Sequence, residues 1–198
     1  MRKILLIVAL LFLCEMTYAQ QKGFEASIEA NGGVGLDSCT KYSFGINLIG
    51  GYRFNDIIFL GAGIGYTYLN GLYYSSYEYL SKGNSIHYQS YDVRNNLNIF
   101  ARAKVNMTKT KVSPFISLDL GGTFGLTSNS IKMANGFMFE PAFGCDIKLK
   151  DEQKIYIMLG YKGMQYKYRA FNNTYGSVGD ETRKMLSGTF CIHLGFTF

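Results

Sequence analysis

Two histidines, four cysteines and a set of widely spaced charges are the side chains that could do chemistry in this 198-residue chain. His87 stands in Ser85-Ile86-His87-Tyr88, and His193 in Cys191-Ile192-His193-Leu194. Nucleophilic catalysis would require one of them to act as base beside a nucleophile and an orienting carboxylate. Metal binding would require cysteines and histidines to converge. Cys39, Cys145 and Cys191 are far apart, and the alternation described below points no two of them at each other, so neither a disulfide nor a metal site is expected. The clusters Gly32-Gly33, Gly50-Gly51 and Gly61/Gly63/Gly65 have no helix behind them to make a phosphate loop. No cofactor is expected. What remains is a candidate network of charges, Glu29, Arg53, Arg94, Arg102, Asp119 and Glu140, whose meaning depends on the elements that carry them.

The first residues read as an address. Arg2 and Lys3 precede an apolar run from Ile4 to Leu13, and Thr17-Tyr18-Ala19 offers a cleavage site. The expectation is a signal peptide over residues 1–19 and a single mature domain over 20–198. The run is shorter than the roughly 20 residues a membrane helix needs. Cys14 raises a lipoprotein reading, but Leu13 before it is bulkier than a lipobox wants.

From Phe24 onward the chain alternates, the mark of strands with one face in an apolar medium. Ile58, Leu60, Ala62, Ile64, Tyr66 and Tyr68 share one face, and Phe59, Gly61, Gly63, Gly65 and Thr67 the other. Leu186, Gly188, Phe190, Ile192, Leu194, Phe196 and Phe198 repeat the pattern at the end of the chain. Eight such segments are expected, at about 23–34, 42–54, 57–68, 92–105, 113–126, 136–149, 155–167 and 185–198. They suit the 9–11 residues of a tilted strand crossing a bilayer. Long connections at 35–41, 69–91, 127–135 and 168–184 alternate with tight ones at Asn55-Asp56, 106–112 and 150–154. That asymmetry is the pattern of an outer-membrane barrel, with short turns in the periplasm and long loops outside.

The smaller face carries Glu25, Glu29, Arg53, Arg94, Arg102, Lys104, Asp119, Glu140, Asp146, Lys148 and Lys162. So many charges do not sit unpaired in a dry core. They fit a narrow lumen in which Glu29, Asp119 and Glu140 pair with Arg53, Arg94 and Arg102. His193 then reads as a lumen-facing polar residue and His87 as a solvated loop residue. The opposite face is left to lipid, with Phe24, Tyr42, Phe44, Tyr52, Phe54, Tyr66, Phe137, Phe196 and Phe198 placed as interfacial girdles.

On these grounds the chain resembles the small eight-stranded outer-membrane barrels of Gram-negative bacteria, of the OmpX and OmpA-barrel type, over about residues 22–198. The resemblance implies an all-β fold: an eight-stranded antiparallel transmembrane barrel in an up-and-down meander. The chain ends Gly195-Phe196-Thr197-Phe198. In that family a terminal aromatic with another two before it is read by the barrel-assembly machinery as an insertion signal, which the resemblance places on Phe196 and Phe198. The residue five before the end, commonly Gly there, is His193. Family deacylases of lipid A carry a His-x-Ser pair, and here Gln89 and Gly195 follow at that spacing. Pro141 inside the sixth segment is expected to make a bulge or a break.

Eight strands enclose an interior just wide enough for side chains. The expected role is therefore non-enzymatic: a structural or surface-binding barrel acting through its long outer loops. The alternatives are a narrow porin-like channel for ions or small solutes and, further off, a soluble periplasmic lipid-binding barrel. The loop tyrosines Tyr73, Tyr74, Tyr77, Tyr79 and Tyr88 are the expected contact surface for a protein or glycan, since tyrosine offers large contact area at low entropic cost. Lys41, Lys82, Lys132, Arg169, Arg183 and Lys184 are placed to meet lipopolysaccharide phosphates, consistent with the net charge of +6. The other expected partners are outer-membrane lipid and the assembly machinery. Nucleic acid is excluded by the location, and the barrel is expected to be monomeric.

Overall fold

The computed structural model describes residues 23–36, 40–80, 84–126, 136–149, 153–174 and 177–198, with side chains for all of these except 71–94 and 166–185. Eight strands follow in chain order: β1 (Phe24–Gly35), β2 (Tyr42–Arg53), β3 (Ile58–Leu80), β4 (Asn84–Asn106), β5 (Val112–Gly125), β6 (Gly136–Lys148), β7 (Lys154–Thr174) and β8 (Ser177–Thr197). Each pairs antiparallel with the next, and β1 pairs with β8 from Ser27↔Thr197 to Gly35↔Thr189, closing the barrel. Where all eight strands pair, closure leaves no sheet edge, the condition for a β-structure to live in lipid.

The strands exist because their two faces meet two environments. Outward positions are apolar and exposed along every strand, among them Ile46, Leu48, Ile64, Ile99, Leu118, Phe143, Ile157, Ile192 and Leu194. In water such a belt would be an aggregation surface; in a bilayer it is the lipid face. Inward positions are buried and mostly polar, with apolar packing from Ile49, Phe59, Leu69, Phe100, Met138 and Met164. Glycine makes room for large inward rings. A methyl at Gly195 would run into the Tyr156 ring, and one at Gly63 into the Phe100 ring.

Short turns close one end. At the first, Asn55 Oδ1 accepts from the backbone N–H groups of Ile57 (2.9 Å) and Ile58 (2.8 Å), an Asx turn. Thr108 and Thr110 cap the second by donating to the Val112 carbonyl.

Two sequence expectations need correction. Residues 69–80, 84–91, 168–174 and 177–184 are strand, not loop. β3 and β4 stay paired to Leu80↔Asn84, and β7 and β8 to Thr174↔Ser177, so both connections are long two-stranded ribbons. Tyrosine and threonine suit strands, but the ribbon sequences carry no apolar alternation to announce them. The other correction concerns Pro141. β6 is unbroken, and its register on β7 is the same on both sides, Phe139↔Gly163 and Ala142↔Gly160, with the pairing skipping Glu140 and Pro141. No register shift accompanies the proline; the one shift among the described pairings lies between Asn70 and Leu72.

Candidate functional site

Ionisable side chains gather in the lumen, and they do so in tiers. At the turn end Arg53 grips Glu25 with two bonds, Nε–Oε1 at 2.5 Å and Nη2–Oε2 at 2.8 Å. Lys154 donates to the same carboxylate, and Arg53 Nη1 reaches Asn106 Oδ1 at 3.1 Å. These residues line a vestibule of about 590 Å³ with Asp146 and Lys148.

One step further in, Lys104 Nζ pairs with Asp146 Oδ1 at 2.6 Å, while Asn106 Nδ2 donates to Asp146 Oδ2 at 2.7 Å. The same ammonium sits 3.9 Å from the centre of the Phe115 ring and 4.7 Å from that of Tyr156. Cation–π attraction of this kind grows as water is removed.

The middle of the barrel holds the densest tier. Arg102 makes a fork to Asp119, Nε–Oδ1 and Nη2–Oδ2 both at 2.7 Å, and its Nη1 lies 2.8 Å from Glu29 Oε2. Tyr156 donates to Glu29 Oε2 at 2.8 Å, and Asn47 Nδ2 to Glu29 Oε1 at 2.6 Å. His193 Nδ1 is 2.9 Å from Glu29 Oε1, and its Nε2 is 2.6 Å from Glu140 Oε1 without hydrogen-bond geometry. Lys162 Nζ closes the chain on Glu140 Oε2 at 3.1 Å. Every strand except β3 contributes to this girdle, and the register explains why. Arg102↔Asp119 and Asp119↔Glu140 are direct cross-strand pairs. Like charges facing each other destabilise a sheet, and Arg102 and Lys162 on the flanking strands offset that repulsion.

The structure brings together four of the six expected network residues, Glu29, Arg102, Asp119 and Glu140. Arg53 belongs instead to the mouth tier with Glu25 and Lys154. Arg94 has the inward parity of Arg102, but its side chain lies outside the described ones, as do those of Tyr73, Tyr74, Tyr77, Tyr79 and Tyr88. The ladder sets Tyr73 opposite Tyr91, Tyr77 opposite His87 and Tyr88 opposite Ser76 on the β3–β4 ribbon. His87 is thus a ribbon residue, not a loop one. Of the basic outer residues only the Lys41 side chain is described, and it is exposed. Phe196 and Phe198 meet edge to face with centroids 4.9 Å apart at the end of β8.

Tyr156 and Asn47 join the network although neither carries a charge. Their inward parity would have found both. Cys145 and Cys191 are free thiols, the latter buried, and Cys39 lies outside the described residues. Cys191 and His193, two apart on β8, come close to Glu140 on β6, one donor atom from each within 4.8 Å of the others. This convergence departs from the expectation that no metal-binding group would form. Alternation along one strand does not reveal which residue of another strand arrives beside it.

A sequence model of the outer membrane protein beta-barrel domain family matches residues 5–198. The chain belongs to that family. It is an outer-membrane protein, and its apolar outer belt is the lipid face. Among solved structures it is similar to the outer membrane protein OprG of Pseudomonas aeruginosa, with a TM-score of 0.57 and 14% identity over 90% of this chain and 97% of that one. Neisserial surface protein A gives a TM-score of 0.51 at 17% identity, covering 89% and 98%. AlkL, solved in lipid bilayers, gives 0.50 at 14%, covering 90% of each. At such identities the likeness is one of fold. No curated protein matches the chain. Within this family's barrel, Glu29, Arg102, Asp119, Glu140, Lys162 and His193 are buried in the lumen, away from both lipid and the outer medium.

Proposed function

We propose that this is a non-enzymatic surface barrel that binds a partner through its two long ribbons, with the lumen serving as a structural rivet rather than a pathway. The observation that carries this reading is the filling of the axis. Glu29, Glu140, Met164 and His193 are fully or almost fully buried at mid-barrel, and the charges there pair among themselves. An ion crossing the barrel would have to displace a paired group from a low-dielectric site, at a cost of several kcal/mol.

The β3–β4 and β7–β8 ribbons supply the binding surface. Their tyrosines, Tyr73, Tyr74, Tyr77, Tyr79 and Tyr88, suit a protein or glycan, and the basic outer residues suit lipopolysaccharide phosphate. The absence of a His-x-Ser pair supports the non-enzymatic reading. Phe196 and Phe198 serve as the insertion signal to the assembly machinery, and the mature protein works as a monomer in outer-membrane lipid.

The vestibule at the turn end favours a second reading, a narrow channel. Two experiments separate them. The barrel in lipid discs is screened for binding to a glycan array and to lipopolysaccharide vesicles, intact and with residues 71–91 replaced by a short Gly-Ser turn. Binding that is lost in the replaced variant supports the surface reading. No binding, or binding unaltered by the replacement, together with conductance in a planar bilayer, overturns it in favour of the channel.

A further inference from the structure

Glu29 and Glu140 approach His193 from opposite sides, and the two contacts are not alike. A carboxylate only accepts, so Nδ1, 2.9 Å from Glu29 Oε1, carries a proton and donates it. In a neutral imidazole Nε2 is then a lone pair, and it faces Glu140 Oε1 at 2.6 Å. Neither of these two buried atoms has a hydrogen-bond partner. Two acceptors held this close need something positive between them, either a second ring proton or a cation. The Cys191 sulfur converges on the same place, one donor atom of each residue lying within 4.8 Å of the others. Cys191 is buried, with its thiol directed at the Thr189 carbonyl at 3.8 Å. Opposite it in the ladder stands Gly33, where a methyl would come within 2.8 Å of the sulfur.

We infer that Cys191, His193 and Glu140 form a binding site for a divalent cation of borderline softness, of the zinc type. Thiolate, imidazole and carboxylate are the donor set such an ion takes. The surroundings have the outer support that metal ligands need. Glu29 fixes the His193 ring through Nδ1, the carboxylate–histidine–metal arrangement. Lys162 holds the other oxygen of Glu140 at 3.1 Å, leaving Oε1 turned toward the histidine. Ligation at about 2.0–2.3 Å sets tetrahedral donors about 3.3–3.7 Å apart. Binding therefore draws the sulfur inward and pushes the Glu140 oxygen outward, each by a side-chain adjustment of about an ångström.

The charges balance. The cation enters with two positive charges, and the Cys191 thiol and the Nε2–Glu140 contact each release one proton. Thiolate, carboxylate and metal then sum to zero, as do imidazolium, carboxylate and thiol without it, so the rest of the girdle is undisturbed. Because the site is enclosed, the ion is captured as the barrel closes.

The test uses cobalt as the probe. A Cys14→Ser/Cys39→Ser/Cys145→Ser variant, whose sole thiol is Cys191, is refolded from urea into detergent with and without Co²⁺. Closure is checked by the gel shift on boiling, and free metal is removed by gel filtration. The inference predicts about one cobalt per folded chain, as a metal captured on folding would give, with thiolate-to-cobalt charge-transfer absorption. Adding Cys191→Ser to that variant, or His193→Gln, abolishes that absorption. Glu29→Gln keeps the ligands but weakens retention by about 10–100-fold. Folded barrels that hold no cobalt, and no zinc when refolded with zinc, overturn the inference and leave His193 as an imidazolium clamped between two carboxylates. Metal retained without the charge-transfer band overturns it too.

Discussion

Across the seam that closes the barrel, His193 on β8 sets its Nδ1 2.9 Å from Oε1 of Glu29 on β1. The same carboxylate is met by Asn47 from β2, Arg102 from β4 and Tyr156 from β7. One side chain thus ties together the first and last strands and reaches the far wall. In a barrel, where closure joins the two ends of the sequence, this is the place where a single residue does most to hold the register.

Glu29→Ala should cost about 3–5 kcal/mol, because it leaves the Arg102 charge under-compensated in a buried site. Urea titration in lipid vesicles measures it. A loss below about 1 kcal/mol would mean that water reaches the girdle and solvates Arg102 as exposed pairs are solvated.

The mouth tier should behave differently. Glu25 and Arg53 keep 16% and 12% of their side-chain surface exposed beside the vestibule. Removing this pair should cost about 1 kcal/mol or less, and the loss should shrink further in salt, as for solvent-screened pairs. A double-mutant cycle at two salt concentrations checks both points.

The face assignment predicts a depth gradient on β3. Ile64→Arg places a charge near the middle of the lipid face and should cost about 2–4 kcal/mol, whereas Leu60→Arg, closer to the turn end, should cost less, toward 0–1 kcal/mol. Both residues are about half exposed to the outside, 47% and 49%. Equal costs, or none, in vesicle unfolding would mean that the membrane crosses the strand elsewhere.

Gly195→Ala should destabilise by about 1–3 kcal/mol through overpacking against the Tyr156 ring. Tyr156→Phe, which keeps the ring, should not relieve this, whereas Tyr156→Ala should. Non-additive losses in the double variants would show it.

Much of this fold was legible because the physics repeats every second residue. Leu186 to Phe198 alternate since lipid lies on one side of β8 and a packed lumen on the other, and any chain so placed must read that way. The ribbons were not legible because Tyr73 to Tyr79, though paired as strand, show no apolar–polar alternation in the sequence. The network was legible in membership and not in partners. Parity sends Arg53 and Arg102 both inward, but the stagger of tilted strands sets their heights, and height decides that Arg53 meets Glu25 while Arg102 meets Glu29. His193 shows the same limit. Its inward direction follows from its neighbours, but its position between Glu29 and Glu140 follows only from how β1, β6 and β8 register around the closed wall.

Single-channel recording in planar bilayers tests the sealed lumen, on protein whose folded state is verified by its shift in gel mobility on boiling. A lumen sealed by the Glu29–Arg102–Asp119 and Glu140–Lys162–His193 groups predicts a flat trace at every voltage. It also predicts that conductance steps appear only when the girdle is opened, as in a combined Glu29→Ala/Arg102→Ala variant that still folds. Regular conductance steps from the unaltered barrel would mean that the lumen is open and serves as a pathway.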